Sequence, residues 1–130
     1  MEPILKVADL SKAFSRAGRD AFFAVEHVSF EVQPGEILGI VGESGSGKST
    51  IARLITRQID ATGGQIFIDG QDITRLRGRD LIPVYAKIQM VFQSPADSFD
   101  PRRTLGDGIC ESLRNKGVPK AEREAKARAL

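Results

Sequence analysis

The 130-residue sequence predicts an α/β fold built around a glycine-rich loop between a core strand and a helix, and three observations carry that expectation. Gly42-Glu43-Ser44-Gly45-Ser46-Gly47-Lys48-Ser49-Thr50 fits the spacing G-x-x-x-x-G-K-[ST]. The apolar run Glu36-Ile37-Leu38-Gly39-Ile40-Val41 leads into it, and Ile51, Leu54, Ile55 and Ile59 follow at the spacings of three and four that mark one face of a helix. Upstream, Val28, Phe30 and Val32 alternate with Ser29, Glu31 and Gln33 as a half-buried strand does. The fixed positions of the loop pattern match by chance in about one chain of this length in a hundred, and the flanking strand and helix patterns lower that further.

In chain order, Ile4 to Leu10 shows partial strand alternation and runs through Ser11-Lys12-Ala13-Phe14 into a polar loop over 15–20 that contains Gly18. The alternating run over 28–33 ends at the turn pair Pro34-Gly35. Glu36–Val41 is expected as a buried strand feeding the loop, and residues 49 to about 60 as the helix behind it. Gly63-Gly64 breaks the chain, and Gln65-Ile66-Phe67-Ile68-Asp69-Gly70 predicts a strand closed by an Asp-Gly hairpin turn. Asp69 resembles a metal-binding carboxylate at a strand end, but the following Gly70 favours the turn reading, and Asp72 is expected as a turn or cap residue. Pro83 is expected to interrupt a helix that starts near Asp80, and Ile88-Gln89-Met90-Val91-Phe92 predicts a second buried strand that delivers Gln93 to its end. Ligands in open α/β sheets sit at such carboxyl ends. Thr104 is a candidate N-cap for a helix to about Asn115, and Lys120–Leu130 reads as a helix with a thin apolar stripe.

The totals exclude some functions. A formal charge of +2 from 19 basic and 17 acidic residues is too balanced for nucleic acid to be the main partner. Residues 101–130 hold eight Lys/Arg against four Asp/Glu, most simply a solvated helical face. Cys110 is the only cysteine, which excludes an internal disulfide and suits a reducing compartment. No apolar run reaches the roughly 20 residues of a membrane helix, so a soluble, cytoplasmic chain is expected. His27 precedes the loop on a strand, where a surface histidine is the simpler reading.

The chemistry of the loop follows from holding a polyanion. Small residues let successive backbone N–H groups turn around phosphates, and the helix that follows aims its positive end at them. Lys48 would reach the β- and γ-phosphates of ATP, Ser49 would place its hydroxyl on Mg²⁺, and Thr50 would donate toward the α-phosphate. Gly42, Glu43, Ser44, Gly45, Ser46 and Gly47 complete the cradle.

These stretches together resemble the N-terminal part of an ABC transporter ATP-binding subunit. The resemblance rests on residues 42–50, on Gly64-Gln65-Ile66-Phe67-Ile68-Asp69-Gly70-Gln71-Asp72-Ile73, and on Ile88-Gln89-Met90-Val91-Phe92-Gln93-Ser94-Pro95, in that order and spacing. Ser98-Phe99-Asp100-Pro101-Arg102 is similar to a stretch of the oligopeptide, dipeptide and nickel importer group. The resemblance implies a P-loop NTPase core (RecA-like) with an N-terminal antiparallel β subdomain and the beginning of an α-helical subdomain, truncated at Leu130. Its division would be 1–95 for the β subdomain and phosphate-loop core and 96–130 for the start of the helical subdomain.

By the same resemblance Phe14 stacks on adenine, where Tyr is more usual, and Gln93 joins the Mg²⁺ and water shell. The Leu-Ser-Gly-Gly-Gln signature, the catalytic glutamate and the switch histidine are expected downstream of this chain, so no catalytic residue is expected within it. The implied function is ATP-driven uptake of peptides or a related small solute. The implied partners are permease subunits, a second ATP-binding subunit and, indirectly, an extracytoplasmic solute-binding protein, with the subunit on the inner face of the cell membrane. Two other readings share the loop: an ABC ATPase without a transport role, and a P-loop small-molecule kinase, for which Arg75 to Arg79 offer the only candidate lid.

Overall fold

Two long alternating segments pair first in the chain. In the computed structural model, which describes residues 2–16 and 19–130, β1 (Leu5–Arg16) and β2 (Arg19–Val32) run antiparallel, with Leu5 opposite Val32 and Val7 opposite Phe30. The loop expected over 15–20 is therefore shorter than its composition suggests, and its Gly18 lies outside the described residues. β3 (Gly63–Ile68) adds to the other edge of β1, and the Asp69-Gly70 turn returns the chain into β4 (Gln71–Asp72). Both turn residues have positive φ, 48° and 73°, as a two-residue type I′ hairpin requires. The described sheet is thus β2-β1-β3-β4, antiparallel throughout. Asp69 is tied to Lys87 (2.6 Å) and Asp72 accepts from the Thr74 N–H (2.8 Å), which fits their reading as turn and cap residues.

β1 and β2 are not regular. Val7 pairs with Phe30 but Leu10 with Val28, and Lys12 with Val25, so each strand carries an extra residue near the middle. Asp9 and His27 occupy these bulges, both at φ 52°. Their backbone N–H groups are taken by hydroxyls across the ladder, Asp9 by Ser29 (2.8 Å) and His27 by Ser11 (3.0 Å), and the His27 Nδ1 lies 2.7 Å from an Asp9 carboxylate oxygen. His27 is a surface residue in an ion pair, as expected.

The sheet buries one face against α1 (Lys48–Ile55). Val7, Leu10, Val25, Ile66 and Ile68 from the strands meet Ile51, Leu54 and Ile55 from the helix, and Ile73 and Val84 close the cluster. α1 ends at Ile55, several residues before the expected boundary. Arg57 turns left-handed at φ 56° and its guanidinium is buried, donating to the carbonyls of Ile59 (3.3 Å) and Leu76 (3.2 Å) and pairing with Asp60 (2.9 Å). A buried charge needs such acceptors, although the Arg57 Nε has none, and the turn that gathers them follows directly on the helix end. The Asp60 carboxyl is held below its ordinary range by the Arg57 hydrogen bond and by Arg77.

Two further expectations fail. Residues 36–41 and 88–92 form no ladder: Ile37 is 97% exposed, Val41 96% and Val91 93%. A strand is a property of a pair, and a buried parallel strand needs a neighbour on each side; among the described residues no segment supplies one. Pro83 starts a helix instead of interrupting one. A 3₁₀ turn over Gly78–Leu81 runs into α2 (Ile82–Lys87), where proline sits in the first turn and its missing N–H costs no hydrogen bond.

The chain divides into two compact units, Met1–Gln89 and Met90–Leu130. In the second, Thr104 caps α3 (Leu105–Ile109), its hydroxyl oxygen accepting from the Asp107 N–H (3.2 Å). The helix expected to Asn115 breaks at Cys110 into α3 and α4 (Glu111–Asn115), and α5 (Lys120–Arg128) follows with no buried residue.

Two measurements check this unit-by-unit account. Leu54 is fully buried beneath the sheet, so Leu54→Ala should cost about 2–5 kcal/mol in denaturant unfolding. The Asp9 hydrogen bond and charge raise the His27 pKa above 6.5, so the pair contributes stability below about pH 6.5 and loses it as pH rises through the raised value. Titration of the imidazole by NMR should show the elevated pKa, and Asp9→Asn should return it toward 6.5.

Candidate functional site

The loop expected to hold phosphate is a turn set on a helix start. Glu43 and Ser46 close it with an N–H to carbonyl bond of 3.2 Å, and Gly45 and Gly47 take φ of 81° and 94°. Gly47 is the N-cap of α1 and has no side chain to cap with. The first intrahelical acceptor is the Gly47 carbonyl, reached by the Ile51 N–H at 2.9 Å, so the N–H groups of Lys48, Ser49 and Thr50 stand ahead of the helix's own ladder. Their partial positive charge adds to that of the aligned peptide dipoles. Burial of Ile51, Leu54 and Ile55 fixes the helix from behind, so these donors have a defined direction.

The loop is also fixed from the side. At Gly47 a Cβ would run into the carbonyl oxygen of Ala24 on β2, and the left-handed φ excludes other residues on strain alone. Ala24 reaches that position because it is the extra residue of a third irregularity in the hairpin: Lys12 pairs with Val25, whereas Ala13 pairs with Phe23 and Phe14 with Phe22.

Lys48 folds inward over its own loop. Its ammonium donates to the carbonyls of Gly42 (2.7 Å) and Glu43 (2.5 Å) and to the Ser46 hydroxyl (3.2 Å). These bonds stabilise the charge without a carboxylate partner, and they hold it over the loop. Gly42, Glu43, Ser44, Gly45 and Ser46 are exposed, as is Ser49, whereas Gly47, Lys48 and Thr50 are half-buried.

A cavity of about 330 Å³ joins this loop to the end of the β1–β2 hairpin. Gly45, Gly47, Lys48, Ser49 and Thr50 line one side, and Phe14, Phe22, Phe23 and Ala24 line the other. One end therefore offers N–H groups and a cation, and the other offers aromatic faces. Phe14 was expected near the loop; Phe22, Phe23 and Ala24 were not. The signal for them was the Phe22-Phe23 pair itself, but the register that turns it toward the loop depends on the bulge. Gln93 lies in the second unit and is exposed. Among the described residues no cluster of three or more His, Cys, Asp or Glu side chains could hold a metal ion.

Comparison with known proteins places this geometry. A family model described as ABC transporter matches residues 25–129. The chain is 45% identical over 124 residues to the glutathione import ATP-binding protein GsiA of Shigella dysenteriae, covering 90% of this chain and 20% of that protein. It is 44% identical to GsiA of Escherichia coli with the same coverage. The chain thus spans about a fifth of the length of these curated relatives. Among solved structures, the dimeric post-hydrolysis state of the ATP-binding cassette MJ0796 bound to ADP and Pi superposes with a TM-score of 0.83 at 27% identity, over 96% of this chain and 54% of that one. A second dimeric structure of MJ0796, described as a bacterial ABC transporter cassette, gives a TM-score of 0.84 with the same identity and coverage.

Gly47→Ala tests how the loop is fixed. It should cost about 1–3 kcal/mol in denaturant unfolding, because the methyl group meets the Ala24 carbonyl and the φ is left-handed. Gly45→Ala shares the positive φ but has open space around its Cβ and should cost less.

Proposed function

Because the chain belongs to the ABC transporter family, we propose that residues 42–50 hold the triphosphate of ATP together with Mg²⁺. The observation that carries this reading is the cavity with a helix start and the Lys48 ammonium at one end and an aromatic wall at the other. The backbone of Gly42, Glu43, Ser44, Gly45, Ser46 and Gly47 wraps the phosphates. Lys48 exchanges its bonds to the Gly42 and Glu43 carbonyls for phosphate oxygens, gaining a full counter-charge in place of two dipoles. Thr50 donates toward the α-phosphate, and Phe14 belongs to the wall that takes adenine.

The donor set suits Mg²⁺ that arrives with the nucleotide. Mg²⁺ prefers oxygen ligands, keeps several waters and needs only one or two protein groups beside phosphate oxygens. The Ser49 hydroxyl, in the first turn of α1, is one such group, and we assign the Gln93 amide oxygen as the other. When bound, the ion neutralises charge on the phosphates.

For the whole protein we propose an ATPase that drives an importer of peptides or a related small solute, as the glutathione import function of GsiA suggests. Its partners are permease subunits, a second ATP-binding subunit as in dimeric MJ0796, and indirectly an extracytoplasmic solute-binding protein. Its place in this reading is peripheral, on the cytoplasmic face of the membrane, as the importer relationship to GsiA suggests. Residues 1–95 form the β subdomain and phosphate-loop core in this reading, and 96–130 the start of the helical subdomain. Arg77 is tied to Asp60 at 3.1 Å, which favours a structural role over a kinase lid.

Calorimetric titration with ATP and Mg²⁺ tests the site. The chain should bind, and Lys48→Ala should weaken binding at least about tenfold, as loss of a charged hydrogen-bond donor to phosphate predicts. Ser49→Ala should reduce the gain that Mg²⁺ brings. Absence of binding by the unmodified chain, or full affinity in Lys48→Ala, would overturn the assignment.

A further inference from the structure

We propose that the hollow between the end of α1 and the loop over 76–78 binds a small oxyanion of charge two, of the phosphate or sulfate type. A cavity of about 520 Å³ lies there, with Lys12, Arg57, Asp60 and Arg77 as its charged lining. Three cations thus face one carboxylate, an excess of two positive charges. The hollow shares no lining residue with the cavity beside residues 42–50, so it stands apart from the reading of that loop.

One residue gathers the three cations. The Asp60 carboxylate accepts from the Arg57 guanidinium on one oxygen (2.9 Å) and from Arg77 on the other (3.1 Å), while its backbone carbonyl accepts from the Lys12 ammonium (2.7 Å). The cations come from three parts of the chain: β1 supplies Lys12, the turn after α1 supplies Arg57, and the loop before the 3₁₀ turn supplies Arg77. The Leu76 carbonyl, which accepts from Arg57 at 3.2 Å, ties that loop to the helix end. Asp60 responds to its surroundings as a lone anion should: the Arg57 hydrogen bond, then the charges of Arg77, Arg57 and Lys12, hold its carboxyl below the ordinary range. Cations concentrated in a concave space with too little counter-charge raise the potential there and attract an anion.

Arg57 distinguishes this hollow from an ordinary surface ion pair. Its side chain is 2% exposed, and its Nε is buried with no hydrogen-bond partner among the described residues. Guanidinium stays charged when buried, and here its counter-ion is a half-exposed carboxylate shared with Arg77. Arg77 is the opposite case, with 79% of its side chain exposed and free to meet a ligand from solvent. Arg57 therefore supplies fixed charge behind the lining, and Arg77 and Lys12 supply donors that a ligand reaches.

Charge selects the ligand class. A phosphate carries nearly two charges near pH 7, and sulfate two, which matches the excess; a monocarboxylate leaves one cation uncompensated. The planar donors of arginine suit the oxygens of such anions.

The test titrates sulfate, inorganic phosphate and acetate at constant ionic strength into the full chain and into Lys48→Ala, Arg77→Gln, Arg77→Lys and Lys12→Gln, by calorimetry and by amide shifts in NMR. Sulfate and phosphate should bind the full chain and shift the Arg77 and Gly78 amides, with acetate weaker by about fivefold or more. Lys48→Ala should keep those shifts and their sulfate affinity within about twofold. Arg77→Gln and Lys12→Gln should each weaken sulfate by about fivefold or more, and Arg77→Lys, which keeps the charge, should lose less than Arg77→Gln. Sulfate shifts confined to residues 42–50 and abolished in Lys48→Ala would overturn the proposal and leave the loop reading intact. Unchanged sulfate affinity in Arg77→Gln, acetate binding as tightly as sulfate, or no binding of either dianion by the full chain would also overturn it.

Discussion

The contact between the Ala24 carbonyl and the backbone of Gly47 is the constraint on which the site depends. A Gly-rich loop left to itself samples many conformations, and each residue it orders costs about 1–2 kcal/mol of backbone entropy. Here the loop is held on two sides. Ile51, Leu54 and Ile55 anchor the helix that follows, and β2 blocks the loop from moving toward the hairpin. The same strand carries Phe22 and Phe23, so one element sets both ends of the cavity. Only glycine fits at position 47, because the close approach and the left-handed φ both exclude a Cβ.

The ammonium of Lys48 shows how the loop carries positive charge without a carboxylate partner. Two carbonyls and a hydroxyl of its own loop surround it, which satisfies its three donors but leaves the net charge in place. In the proposed reading an incoming phosphate replaces dipoles with opposite charge, and the N–H groups at the start of α1 add to the attraction. The helix is only eight residues long. Its dipole effect is concentrated in the first turn, so length adds little.

The first unit owes its order to the antiparallel half of its pattern. β1, β2, β3 and β4 are joined by short connections or by pairing across β1, and their inner faces meet α1. Residues 36–41, which enter the loop, take no part in that ladder, and Ile37 and Val41 stay almost fully exposed. Burying a side chain of that size is worth about 1.5–3 kcal/mol, so these segments are poised to gain from any partner strand. The loop keeps its shape without them because its anchors lie downstream in α1 and across in β2.

Much of this was legible from residue order. Local chemistry dictates local shape: Asp69-Gly70 demanded a tight hairpin, Thr104 capped a helix, Val28 to Gln33 alternated, and the glycines and Lys48 marked a turn ahead of a helix. Each of these needs only neighbours within a few residues. Pairing was not legible in the same way. The bulges at Asp9, Ala24 and His27, and with them the choice of Phe22 over Phe23 opposite Phe14, arise from how two strands match over their whole length. The early end of α1 goes with the acceptors that gather around buried Arg57, drawn from Ile59, Asp60 and Leu76. The apolar runs at 36–41 and 88–92 read as strands because hydrophobicity is local, but a ladder is not. The sequence by itself determined where the loop and helix lie and which residues carry donors and charge; the tertiary structure decided which aromatic ring stacks on Phe14, because register is a property of two segments together.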